Sequence, residues 1–258
     1  FDRSIYNRPS SLISPYYSMP LDHLIRHGDE YIQNISFGYK NMSSQGNQSN
    51  EFSILINEEK EQKTLVLDTI NFETAINQPN LPQAFERRTV TGGRFDHTLL
   101  QNIPTQDTTV LSTKVFLNTL DGNNPGKNFL LNDTIYSYHT FSDFYAYDDG
   151  TAEMAVGVPK KGGKVAYRYV LPEPDTITGI DMYLPDYHNN SNALTIRLFV
   201  LSRLDNNPNS EIIRQNFSLN TNTGLNEFQR FNFLGFAAVR DTFYIGYEQQ
   251  VDGFMAIG

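Results

Sequence analysis

The chain has 258 residues, 39% hydrophobic and 13% aromatic, with no cysteine and no tryptophan. That length serves one large β domain or two ordinary domains, and the absence of cysteine excludes disulfides, thiol catalysis and thiolate zinc sites. With 29 acidic against 20 basic residues the net charge is -9, a surface that repels phosphate backbones and argues against a nucleic-acid partner.

Phe and Tyr suit strands, where a broad ring packs across neighbouring chains. No apolar run reaches the length needed to span a bilayer. Residues 1–28 read as an irregular arm broken by Pro9, Pro15 and Pro20. Within it Leu21 to His27 predicts one or two helical turns, ended by Gly28. His23 and His27 share a face of that helix and are expected to be solvated, since a zinc site needs at least one further ligand.

Residues 29–140 read as a first β domain. Tyr31 to Tyr39, Phe52 to Ile56 and Thr64 to Phe72 predict strands, with the charged turn Glu58–Glu61 joining the last two as a hairpin. Residues 77–106 are rich in Pro, Gly and Arg and give no clear element. Thr109 to Leu120 and Asn128 to Tyr138 predict two more strands around the turn 121–126.

Residues 141–258 show a stronger pattern. Val165, Tyr167 and Tyr169 recur at spacing two, as do Ile180, Met182 and Leu184. So do Leu194, Ile196, Leu198 and Val200, and then Phe243, Ile245 and Tyr247. Alternation of this kind marks strands with one face on a core. The fold class expected is all-β, with two β domains, the second a jelly-roll-like sandwich. The chain opens on Phe1 and closes on an apolar run, so it is expected to be a piece of a longer protein.

The run Phe144-Tyr145-Ala146-Tyr147-Asp148-Asp149-Gly150-Thr151-Ala152-Glu153 is followed by Gly163 to Tyr169 and by Asp175 to Leu184. Together these segments resemble a β-sandwich module of secreted and cell-surface Bacteroidota proteins, many exported by the type IX system. In that module a Tyr-Asp-Asp-Gly-Ser/Thr-Ala-Glu box opens the domain. The resemblance covers about 140–258 and implies an extracytoplasmic location and a jelly-roll fold, with no assigned activity. It also implies closing strands beyond those seen in this sequence. Asp-Thr-Ile/Thr triplets place Thr69, Thr108, Thr134 and Thr176 in a context similar to the O-glycosylation sequon of such proteins. The same dipeptide also suits a turn entering a strand.

The chemistry that the residues offer is sparse. Asp148, Asp149 and Glu153 carry carboxylates on a turn, the donor type that Ca²⁺ takes; a plain Asp-Gly turn explains the same residues. Tyr147 and Tyr187 are candidate rings for sugar stacking within the series Tyr145, Tyr147, Tyr167, Tyr169, Tyr183 and Tyr187, most of which are expected to pack in the sheet. The sequence has no nucleophile elbow, P-loop or dinucleotide fingerprint. No catalytic residue and no cofactor other than Ca²⁺ is assigned. The expectation is therefore a non-enzymatic surface or secreted protein acting through protein–protein contacts or as a structural module. A carbohydrate-binding module and a glycan hydrolase are the alternatives. The partners expected are other cell-surface proteins or glycans.

Overall fold

The computed structural model describes residues 3–42, 44, 51–71, 83–104, 108–117, 133–151, 156–184, 195–205, 207–219, 224, 226–253 and 255–257. The chain is all-β, with a single α-helix among the described residues, and it divides into two compact units, Phe1–Asp149 and Gly150–Gly258.

Unit 1 contains β1 (Arg3–Asn7), α1 (Leu21–Tyr31), β2 (Asn34–Asn41), β3 (Glu51–Glu58), β4 (Lys63–Asn71), β5 (Arg87–Arg94), β6 (Thr109–Leu117) and β7 (Thr134–Phe141). The strands form two antiparallel sheets, ordered β1-β2-β5 and β4-β3-β6-β7. Alternation builds the core between them. Phe52, Ile54 and Ile56 point inward from β3, as do Leu111, Val115 and Leu117 from β6. Phe37 of β2 meets Phe52 edge to face, with ring centroids 4.9 Å apart. Each such side chain contributes about 1.5–3 kcal/mol when fully buried. Gly92 of β5 lies in this interface; a Cβ there would stand 2.6 Å from Ile54 Cδ1, so any larger residue would push the end of the Ile54 side chain aside.

The segment expected as an irregular arm is part of this unit. It supplies β1, and beyond it Leu12, Ile13, Tyr16 and Met19 are fully buried. Backbone bonds fix it, from Ser14 N to Tyr31 O at 2.9 Å and from Gln33 N to Leu12 O at 2.9 Å. The prolines keep it from becoming a regular strand while its apolar residues cover the core. Helix α1 does not stop at Gly28. It kinks at His27 and runs on to Tyr31. Leu21, Leu24, Gly28 and Tyr31 form its buried stripe, the 3–4 residue spacing of an amphipathic helix. Gly28 serves packing: a Cβ there would lie 2.4 Å from the His97 ring. Residues 77–106, which gave no clear element in sequence, contain β5 and a 3-10 turn at His97–Leu100.

Unit 2 contains β8 (Val156–Val158), β9 (Lys164–Val170), β10 (Asp175–Tyr183), β11 (Thr195–Leu201), β12 (Glu211–Ser218), β13 (Phe228–Val239), β14 (Thr242–Gln249) and β15 (Met255–Ile257). Their antiparallel pairs are nested: β11 with β12, β10 with β13, β9 with β14, β8 with β15. A further pairing of β11 with β14 makes the four-stranded sheet β12-β11-β14-β9. Phe217 of β12 packs edge-on against Phe231 of β13 at 5.3 Å, which joins the β10-β13 pair to that sheet. Ile196, Leu198 and Val200 are fully buried, as their spacing predicts. Tyr167 departs from the predicted inward face and is 51% exposed, because β9 is the outer strand of its sheet.

Candidate functional site

In the Asp-Asp-Gly box, Asp148 and Asp149 end unit 1 and Gly150 begins unit 2. The box follows a bridge between Ser18 and Ala146 that ties this stretch to the N-terminal segment. Asp148 and Asp149 are exposed. Glu153, the third carboxylate considered for Ca²⁺, and Tyr187 lie outside the described residues. Gly150 takes φ +87°, and a Cβ there would meet nothing within 4 Å. Backbone conformation, not space, therefore favours glycine at this turn. The Tyr17 phenol is pushed up in pKa, first by burial and then by the Asp149 carboxylate, with Arg8 opposing.

The rings leading into the box form a cluster. Tyr145 stands edge-on to the buried Tyr16 at 4.9 Å, and its hydroxyl lies 2.5 Å from His23 Nδ1. His23, expected at the solvated face of its helix, is buried. A phenol at hydrogen-bond distance lets an imidazole leave water without an unsatisfied nitrogen. Tyr147 tilts onto Tyr16 at 4.9 Å and remains 40% exposed. It lies at the rim of an open cleft of about 390 Å³ lined mainly by Ser10–Tyr17 and by Gln33, Asn34 and Ser36.

Under one wall of this cleft sits His139. Its Nε2 accepts a hydrogen bond from Leu12 N at 3.1 Å and lies 3.2 Å from Ser11 Oγ. Its ring stacks on Tyr17 at 4.7 Å. Burial lowers its pKa from 6.5 to about 4. Since Nε2 accepts, the ring proton resides on Nδ1, which has no hydrogen-bond partner among the described residues. A serine beside an imidazole suggests a nucleophile and its base. Here the Nε2 lone pair is already engaged by the Leu12 amide. Among the described residues no carboxylate meets Nδ1 to orient the ring and stabilise an imidazolium. The pair therefore fastens the N-terminal segment to β7 and is not built to move a proton.

Unit 2 carries a surface of another kind. Strand β13 leaves register with β10 between Ala237, opposite Ile177, and Asn232, opposite Gly179. Thr178 alone faces the four residues Phe233 to Phe236, which bulge from the ladder. Phe233 turns into the core, while Leu234 is 94% exposed and Phe236 81%. The Leu234 amide donates to Gln215 Oε1 at 2.9 Å, which satisfies a backbone group released from the ladder. Sequence reading missed this site. Its trace was the run Phe233-Leu234-Gly235-Phe236, where alternation fails at a glycine.

Among the four Asp-Thr positions, Thr69, Thr108 and Thr176 are exposed and Thr134 is half-buried beside the buried Asp133. Thr69 lies on the edge strand β4, with its hydroxyl 2.8 Å from Ser53 Oγ.

No family model, curated protein or solved structure was found to match this chain. Among the described residues no helix is long and apolar enough to cross a membrane.

Proposed function

We propose that this is a non-enzymatic extracytoplasmic protein, at the cell surface or secreted, that acts by binding another protein through the bulge of β13. The observation carrying this reading is the exposure of Leu234 and Phe236, two residues apart on a strand held at both ends of its bulge by pairing with β10. A scattered exposed leucine needs no explanation. Two large apolar side chains exposed within four residues of a fixed strand lose little conformational freedom when they enter a partner's pocket, which favours them as anchors.

Two features support the finer parts of the reading. Nested antiparallel pairing, with the β11–β12 and β9–β14 pairs sharing a sheet, is in keeping with a jelly roll, the fold implied by the resemblance in 140–258. The exposure of Thr69, Thr108 and Thr176 suits the sequon-like triplets expected of a Bacteroidota extracytoplasmic protein.

A photo-crosslinking amino acid placed at Phe236 in the native host tests the partner. A discrete heavier adduct is expected, lost when Leu234→Ser is added. The same adduct from a probe at exposed Asn216, or none from Phe236, overturns the assignment. Intact-mass analysis of host-made protein tests the location, with glycan expected on at least one of the four threonines. Bare polypeptide mass would remove that support.

A further inference from the structure

We infer that the cleft of unit 1 is a binding site for a neutral glycan, with Tyr147 as its exposed ring and Asn34 and Gln33 as its polar contacts. The site is separate from the β13 bulge, and its failure would leave the protein-contact reading intact.

The first argument is the charge of the lining. The protein as a whole carries a net charge of -9, yet among the described residues no Asp, Glu, Lys, Arg or His lines the cleft, and the two charges acting on the lining residue Tyr17, those of Asp149 and Arg8, are opposite in sign. Serine and tyrosine side chains, Gln33, Asn34 and Pro15 account for the lining residues apart from Ile13. A charged ligand would lose hydration there without gaining an opposite charge. A polyhydroxylated neutral ligand exchanges its water for hydroxyl and amide partners of the same kind. The volume of about 390 Å³ lies within the usual range for small-ligand sites.

The second argument is preorganisation. Tyr16 is buried and supports the half-exposed Tyr147 ring at 4.9 Å. Ser10 Oγ accepts from Ser36 N at 2.9 Å and donates to Asn34 O at 3.2 Å, so the wall is fixed before any ligand arrives. Gln33 Nε2 donates to Tyr31 O at 3.1 Å, leaving its side-chain carbonyl to accept. An aromatic face beside oriented amides is the combination that holds a sugar ring, with the apolar C–H face on the ring and hydroxyls on the amides.

The third argument separates a glycan from a peptide. One common mode of peptide binding adds an extended backbone to an open strand edge. That mode is not offered by three of the backbone amides along this cleft, which are already paired: Ser10 N to Ser36 O, Ser14 N to Tyr31 O and Gln33 N to Leu12 O. What the cleft presents is side chains, and side-chain hydroxyls and amides match sugar hydroxyls.

Saturation-transfer NMR on the full chain decides the matter. The probes are cello-, xylo-, malto-, manno- and laminari-hexaose. A galacturonate oligomer serves as the charged control and a Gly-Ser hexapeptide as the peptide control. At least one neutral hexaose is expected to give transfer at millimolar concentration while both controls stay silent. Tyr147→Ala and Asn34→Ala are each expected to weaken that binding by about fivefold or more, and the exposed Asn34→Ala to do so without lowering the melting temperature. Should Tyr147→Ala fail to fold, the exposed Asn34→Ala decides alone. Silence from all five hexaoses, undiminished binding by Asn34→Ala, or equal transfer to the peptide overturns the proposal.

Discussion

The two units bury apolar faces of antiparallel sheets, but they complete their cores differently. Unit 1 covers its sheets with a proline-broken segment and a short helix, and it fastens those pieces with buried imidazoles: His139 holds the Leu12 amide and His23 meets Tyr145. Unit 2 relies on strand pairing, with a glycine where two strands press closest and an ion network on the sheet β12-β11-β14-β9. Non-repetitive covering requires polar fasteners, which respond to pH. Covering by strands requires steric fit, which responds to volume.

The largest expected effect is in unit 2. Gly246 of β14 lies opposite Phe199 of β11, and a Cβ there would stand 2.1 Å from Val165 O and 2.7 Å from the Phe199 ring. Gly246→Ala should cost about 3 kcal/mol or more, because backbone must move; a chemical denaturation midpoint equal to the parent's would contradict this. In unit 1 the corresponding sensitivity is acid. The unfolded His139 imidazole takes its proton near pH 6.5, the folded one only near pH 4. Its contribution is therefore complete above about pH 6.5 and is lost as pH falls towards 4, by about 3 kcal/mol. His139→Gln should reduce the slope of stability against pH in that window. Parallel slopes for parent and variant would remove the histidine from the account.

Glu248 comes next. It accepts from Arg214 at 2.8 Å and Arg197 at 3.4 Å, with Lys164 at 3.9 Å. Glu248→Gln leaves three cations crowded at a half-buried place and should cost about 2 kcal/mol, discounted for partial exposure, with a penalty that shrinks in high salt. A salt-independent loss would point to packing instead. Gly150→Val should cost about 1–2 kcal/mol through its positive φ alone, since there is room for the side chain. The smallest effect belongs to Asp149→Asn, about 0.5 kcal/mol or less, because Asn serves the same turn. Chelator should leave the melting temperature of the parent unchanged. A chelator-sensitive parent and an insensitive Asp149→Asn would make the box a metal site.

Sequence reading succeeded where a strand's own residues decide its burial. Ile196, Leu198 and Val200 alternate on β11 whatever pairs beside them, and the charged turn after Glu58 appears with Glu58 accepting from Lys60 N and Glu61 N. It failed where a partner distant in sequence decides. Strand β5 has three arginines, two glycines and one fully buried apolar residue, Val90, so only its pairing with β2 makes it a strand. The helix was expected to end at Gly28, yet that glycine is there for the His97 ring. The cleft escaped notice because its residues come from three separated stretches, of which Tyr147 alone was singled out. The bulge escaped because period-two matching does not register four residues opposite one.

The nested pairing of unit 2 also dictates an order of assembly. Ordering a loop costs more entropy the longer it is, though the cost grows only with the logarithm of its length. The β11–β12 pair closes a short connection and can form first. Once it exists, β10 and β13 are near neighbours, then β9 and β14, and each step shortens the loop left for the next. The pair β8–β15, at the open end of this zipper, encloses nearly the whole unit and has three residues on each side. It is the last to close and the first to fray, so amide protection should rise from the ends of unit 2 towards β11.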